Sequence, residues 1–422
     1  MDTEHAPARR LGLGGAAAIG IASMVGAGVF AVWAPAAAVA GELLLVGLSI
    51  AALVALANVG STAQLAARYP ESGGAYRYGR ELLGAWPGFL AGWGFVIGKT
   101  ASCAAMALTA AEYLAPAGWE RPIALAVVAV VVGVDLVGIT RTARVAAVIV
   151  IAVGAVLAVV IAAGIALAAE GDGATATATA TIEPTPYGVL QAAGLCFFAF
   201  AGYARIATLG EEVVDPARTI PRAIAIAFAV VVVLYAGVGV TLLAALGAPH
   251  LADADEPLAD VVRLVGWPAA VPLVQVAAGA ASVGALLALV AGIGRTSLAM
   301  ARDRELPAPL ARVSTRFGVP WAASVSVGVG VAALLLIGDL RSVIGFSSFG
   351  VLGYYLVANL AALRQPAPER RLPRWASAAG AIGCLALVAA LPWQSVVGGV
   401  GVFAVGAGIR LLVLGRRRRL AA

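Results

Sequence analysis

Apolar residues in this chain come in runs of about twenty, the length a helix needs to cross a bilayer, with short polar stretches between them. Twelve runs qualify, near residues 11–35, 41–66, 84–112, 121–139, 145–169, 187–209, 221–247, 268–294, 320–338, 341–363, 375–391 and 393–412. Only a Leu-Pro-Trp-Gln turn separates the last two. The pattern predicts an all-α integral membrane protein with 12 transmembrane helices.

The polar connections test that count, because cytoplasmic loops collect basic residues. One alternate set carries Arg9 and Arg10, then Arg68, Arg77 and Arg80, then Arg141 and Arg144, then Arg218 and Arg222. It continues with Arg302, Arg304, Arg312 and Arg316, then Arg364, Arg370, Arg371 and Arg374, and ends in Arg416 to Arg419. The other set holds Arg121, Arg263 and Arg341 among the acidic Glu170, Asp172, Glu183, Asp253, Asp255, Glu256 and Asp260. This asymmetry predicts both termini in the cytoplasm and an even number of spans.

Composition agrees. Of 422 residues, 62% are hydrophobic and 12% charged, against about 25% charged in a soluble protein. The net charge of +6 would suggest nucleic acid if it formed one patch, but it is sorted by membrane side, so no nucleic-acid partner is expected. Cys103, Cys196 and Cys384 all lie in apolar runs and imply no disulfide framework. The N-terminus has a basic pair before a full-length apolar run and no convincing cleavage site, which predicts a retained first span. Residues 174–181, an Ala-Thr repeat, read as a flexible connection. The four-arginine tail reads as a topology signal, with anionic lipid as the alternative partner. An alanine- and arginine-rich composition points to a bacterial plasma membrane.

Two runs are interrupted by glycine. The first holds Gly20, Gly26 and Gly28, and the sixth holds Gly194 and Gly202. Glycine also lets membrane helices pack closely, but these runs open two blocks of five. Interruptions at matching places in two halves point to a transport site built from inverted repeats. Unwound backbone is tolerated in lipid only where it lines a cavity. Its free amides suit a carboxylate and its free carbonyls an ammonium, a combination made for an α-amino acid.

Four motifs carry a resemblance. "MVGAGVF" in the first run, "ARYPESGGAYRYGRELLG" after the second, "EEVVDPARTIPRAI" after the sixth and "GRTSLAMARDRELPAPLARVSTRFGVPWAAS" in and after the eighth are similar, in order, to motifs of the amino acid–polyamine–organocation superfamily of transporters. The resemblance covers residues 11 to about 365 and implies a LeuT-type fold. That fold has two inverted five-helix repeats, here 11–169 and 187–364, with broken helices 1 and 6 and two peripheral helices over 375–412. Residues 1–10 and 413–422 would be cytoplasmic tails. By the same resemblance, the amides of Ser23, Gly26, Ala27 and Gly28 would receive the substrate carboxylate. Carbonyls near Phe197, Phe198 and Ala201 would receive its amino group, with Phe198 as an aromatic gate over the substrate. Phe197 and Phe200 read rather as packing residues.

Two departures from the family matter. Several members have an acidic residue where this chain has Ala204, followed by Arg205; its absence favours neutral over cationic substrates. Proton-coupled members often carry a lysine in span five, where this chain has Val153.

That second gap bears on Lys99, the single lysine among 28 basic residues. At 1.5 Å per residue it lies about 22 Å along its helix from Gly84 and about 20 Å from Glu112, near the bilayer centre, where a lysine costs about 2.5–3.5 kcal/mol. Cys103 is one turn on, on the same face, where span three of the family borders the substrate cavity. The functional reading makes Lys99 the coupling residue, a proton acceptor or a fixed cation in place of sodium. The structural reading pairs it with carbonyls of a broken helix or with Asp135, itself read as structural beside Arg141. Arg205 is expected to pair with Glu211 at the cytoplasmic edge.

His5 and His250 are not placed for metal binding or catalysis, so no cofactor beyond the proton motive force is expected. The leading reading is a permease for amino acids working by alternating access; an exporter or exchanger would look alike, and a channel or receptor on the same scaffold is the rival class. An enzyme would need a nucleophile with its base, a metal cluster or paired carboxylates, and none is apparent.

Overall fold

The computed structural model describes residues 11–69, 73–138, 143–170, 182–210 and 212–421. His5, Arg9, Arg10, Arg141, the Ala-Thr repeat and Glu211 lie outside the described residues, as do the side chains of Arg144 and Arg416 to Arg419.

Each apolar run of the sequence folds as helix. The first breaks into α1 (Leu13–Val25), α2 (Gly28–Ala31) and α3 (Trp33–Ala40). After it come α4 (Leu44–Arg68), the short amphipathic α5 (Ala75–Leu83), α6 (Ala85–Leu114), α7 (Glu120–Leu136) and α8 (Ala143–Glu170). The sixth run forms α9 (Pro186–Phe200), a 3₁₀ turn (Ala201–Tyr203) and α10 (Ala204–Ala207). The chain continues with α11 (Pro216–Asp253), α12 (Pro257–Leu264), α13 (Val271–Arg302), α14 (Trp321–Ile337), α15 (Leu340–Arg364), α16 (Arg374–Ala390) and α17 (Trp393–Ala421). The only β pairing among the described residues is one parallel bridge, Leu11 with Val213. It ties the start of α1 to the segment after α10.

Nine segments among the described residues are long and apolar enough to cross a membrane. The other three runs fold as the 17-residue helices α7, α14 and α16, about 25 Å at 1.5 Å per residue and at the short limit for a span. They end early for local reasons. α7 ends at Leu136, where Gly138 takes φ 76° and its amide turns back to Asp135 O at 2.9 Å, and Asp339 caps α15 with Ser342 immediately after α14. The seventh run was expected to end at Gly247, which marks a kink instead: its φ of 69° breaks the ladder, and a second helical piece runs on to Asp253.

The bundle keeps polar groups inside and large apolar groups outside. Ile151, Val233 and Ile337 are 71%, 73% and 83% exposed, while Asn58, Asn359, Ser61 and Ser102 are buried. Those buried groups bond one another across helices: Asn359 Nδ2 to Asn58 Oδ1 at 2.6 Å, Ser61 to Ser377 at 2.9 Å, and Ser102 to Ser347 at 2.7 Å. In hydrocarbon an unpaired polar group is costly, so such pairs fix helix contacts. Two helices form the centre. The apolar windows of α6 and of the α9–α10 segment are each 83% buried, against 22% for α8 and 17% for α17.

Candidate functional site

Both interrupted helices break in the same buried region. In the first, α1 stops at Val25 and Gly26 takes ψ −119°, outside the helical region. The chain re-enters helix at Gly28, and among the described residues the amides of Gly26, Ala27 and Gly28 donate no hydrogen bond. Ser23 sits one turn earlier, inside α1, so its amide belongs to the helical ladder and its hydroxyl donates to Ile19 O at 2.8 Å. In the sixth run the interruption is tighter. The Ala201 amide turns back to Phe198 O and the chain passes through one 3₁₀ turn.

The breaks touch. A Cβ on Gly202 would collide with the Ser23 carbonyl and lie 2.6 Å from Met24 N, and one on Gly28 would lie 2.7 Å from Ala199 Cα. Glycine at these two positions is what lets the backbones meet. Gly20 and Gly194, expected to take part in the interruptions, lie within intact α1 and α9 and make room for Ile206 and Leu391. The Tyr235 hydroxyl on α11 sits between the two breaks, 2.6 Å from Met24 O and 3.2 Å from Ala199 O.

Lys99 is 5% exposed, and its Nζ donates to Ala201 O at 3.2 Å. Tyr355 on α15 donates to the same oxygen at 3.1 Å. Of the partners weighed from the sequence, a carbonyl of the broken helix is the one observed. Asp135 is buried at the far end of α7, its Oδ2 without a partner among the described residues.

A cavity of about 100 Å³ joins these elements. Ser23, Gly28, Lys99, Phe198 and Gly202 line it, and it extends along α10 and α13 past Arg205, Thr208 and Arg295. Phe198 faces it, whereas Phe197 is fully buried edge-on to Tyr355 with ring centroids 5.8 Å apart. Phe200 packs on Phe228 and Tyr235. Cys103 is fully buried beside Lys99 and does not line the cavity. Gly26, Ala27 and Ala201 are not among its lining residues; Ala201 is tied to it through the bond from Lys99. The charged lining among the described residues is Lys99, Arg205 and Arg295 against Glu212, and Glu212 lies 3.7 Å from Arg295.

The family model for amino acid permeases matches residues 11–413. The chain belongs to the amino acid permease family. An uncharacterized transporter of Mycobacterium tuberculosis is 51% identical over 414 residues, 97% of this chain and 93% of the relative. The branched-chain amino acid permease BcaP of Bacillus subtilis is 24% identical over 92% of this chain and 89% of its own. Cationic amino acid transporter 7 of Arabidopsis thaliana is 29% identical over 82% of this chain and 64% of its own. These are membrane transporters, not enzymes, and the amino-acid and membrane expectations follow from membership.

Two of this permease's sequence motifs meet at the N-terminal end of α6. Tyr76 donates to Asp303 at 2.6 Å, and Glu305 accepts from Arg80 and from Arg410 Nη2, the latter at 3.0 Å. The Arg410 guanidinium lies 4.2 Å above the Trp86 ring. Burial and the Asp303 carboxylate push the Tyr76 hydroxyl far above the usual phenol range, so it remains a donor. At the other end of α6 a wider cavity of about 970 Å³ is lined by Glu112, Asp253, Asp255 and Asp339, with Arg263 bonded to Glu256 and Asp260. It shares no lining residue with the cavity at the breaks.

Sequence reasoning missed Tyr235, Tyr355 and Arg410. Each is a polar side chain inside a long apolar run, the signal that had singled out Lys99.

Proposed function

We propose that this permease is a secondary transporter that carries amino acids across the bacterial cytoplasmic membrane by alternating access. The observation that supports it most is the meeting of the breaks at one small cavity: Gly28, at the end of the partnerless amides of Gly26, Ala27 and Gly28, lines it, and so does Lys99, which bonds the carbonyl of the other break at Ala201. The amides suit an α-carboxylate at the start of a helix, and the Ala201 carbonyl suits an ammonium. Twelve spans, read as two inverted five-span repeats over 11–169 and 187–364 plus peripheral spans over 375–412, put both termini in the cytoplasm.

Neutral substrates are favoured over cationic ones. Among the described residues three basic side chains line the cavity against one acid, Glu212, which lies 3.7 Å from Arg295. Likeness to the branched-chain permease agrees with this; likeness to the plant cationic transporters does not, and the cavity charge weighs more because the substrate meets it directly.

Lys99 is the proposed coupling residue, with protons preferred over sodium. Its ammonium holds the carbonyl meant for the substrate's amino group, so arrival of substrate and release of Lys99 are linked. A hydrogen bond to a charged group contributes about 1.5–3 kcal/mol, comparable to the cost of placing lysine at mid-membrane. Uptake is the default direction; export and exchange use the same site.

Uptake of labelled amino acids into proteoliposomes under imposed proton or sodium gradients tests the reading. Accumulation driven by protons in the wild type, with Lys99→Ala still exchanging substrate but not accumulating it, is the expected result. Equal accumulation by both would remove Lys99 from coupling, and no flux of any amino acid would remove the substrate class.

A further inference from the structure

We infer that Arg205 selects the substrate by its side chain, favouring an amino acid that ends in a carboxamide or carboxylate oxygen. This rests on the transport reading above and narrows it.

Arg205 stands in α10, immediately past the 3₁₀ turn, and its half-buried side chain lines the central cavity. It is pinned there. Nη1 donates to Thr208 Oγ1 at 2.9 Å, and that hydroxyl donates to the carbonyl of Arg205 itself at 2.8 Å. A guanidinium has five donors in a fixed fork, and this is the one side-chain bond that Arg205 makes among the described residues. No carboxylate there pairs with it, since Glu212, the single acid of the lining, lies against Arg295.

The position fits a substrate side chain. Ala201, the proposed acceptor for the amino group, precedes Arg205 by four residues through the 3₁₀ turn, about 6–8 Å of backbone. Two or three carbons beyond the α-carbon cover that span, the lengths of asparagine, aspartate, glutamine and glutamate. A planar amide or carboxylate matches the open fork. An aliphatic side chain would strip water from the guanidinium and return no acceptor, and a cationic one would add charge to a lining that already carries an excess of two. Sites built around a hydrogen bond discriminate strongly against analogues that lack the partner.

The test is initial uptake by the full-length protein in proteoliposomes. Glutamine, glutamate, asparagine and aspartate are compared with leucine and lysine, in wild type, Arg205→Met and Arg205→Lys. The wild type is expected to favour at least one of the four over leucine by tenfold or more in kcat/KM. Arg205→Met should bring that ratio to within about threefold of unity. Arg205→Lys keeps the charge without the fork, so it should retain carboxylates better than carboxamides. Wild-type transport of leucine on a par with all four overturns the inference without any variant, and an undiminished ratio in Arg205→Met overturns it equally. If no amino acid moves, the transport reading fails instead.

Discussion

The two broken helices solve the same problem in opposite ways. At Gly26–Gly28 the backbone leaves the helix abruptly and its amides are left without partners among the described residues, with Gly28 on the cavity wall. At Ala201–Tyr203 the backbone only tightens to a 3₁₀ turn, and the carbonyl it exposes is taken by Lys99 and Tyr355. One break leaves backbone amides without partners, whereas the other has its carbonyl bonded by two side chains of the same chain. That bond gives the buried lysine a polar partner.

The largest expected effect comes from destroying the contact between the breaks. Gly202→Leu drives a side chain into the Ser23 carbonyl, and no flexible neighbour can yield to it. Transport should fall at least about a hundredfold, measured as uptake by protein that still elutes as a single species in detergent. Lys99→Met comes next: it leaves Tyr355 as the one side chain on the Ala201 carbonyl among the described residues. Proton-driven accumulation should drop about tenfold or more while substrate exchange survives. Loss of exchange together with accumulation would mean that the lysine only holds the turn in shape.

Tyr235→Phe sharpens the comparison from between the breaks. Removing the hydroxyl leaves the Met24 and Ala199 carbonyls without it, at about 1–3 kcal/mol. A lower melting temperature and a severalfold weaker substrate affinity should appear together. The smallest effect lies away from both breaks. Asp339→Ala removes the capping box of α15, worth about 1 kcal/mol, and should lower thermal stability with KM unchanged. Burial raises the Asp339 carboxyl, but bonds from Ser342 and the nearby Arg341 outweigh it and hold the group below the usual carboxylate range. Its contribution is therefore complete above the unfolded value and lost as pH falls through the folded one, below about pH 4. A wild-type melting curve that steepens in acid relative to Asp339→Ala checks the sign.

Much of this was legible in the chain. Runs of apolar residues gave the long helices, because in lipid the backbone must satisfy itself within a segment, whereas α5 and α12 lie in the polar connections. The glycines marked which runs would break, though not where: Gly20 and Gly194 carry the same letter as Gly26 and Gly202 but sit in intact helix. Composition cannot distinguish a glycine that admits a neighbouring side chain from one that admits a neighbouring backbone. Lys99 was conspicuous as a lone charge, but its acceptor, 102 residues away, leaves no local mark. Cys103, on the same face by helical period, lies behind the cavity wall, because helix packing decides which part of a face is open.

The sequence by itself determined the solvent, the helices, the family and the suspicion attached to Lys99, since each follows from local hydrophobicity, charge and motif order. Only the tertiary structure decided that the two breaks meet, that Tyr235 bridges them, that the lysine rests on Ala201 and that Arg205 turns its fork into the same cavity. Those facts depend on distances between segments that share no local code, set by how the helices pack.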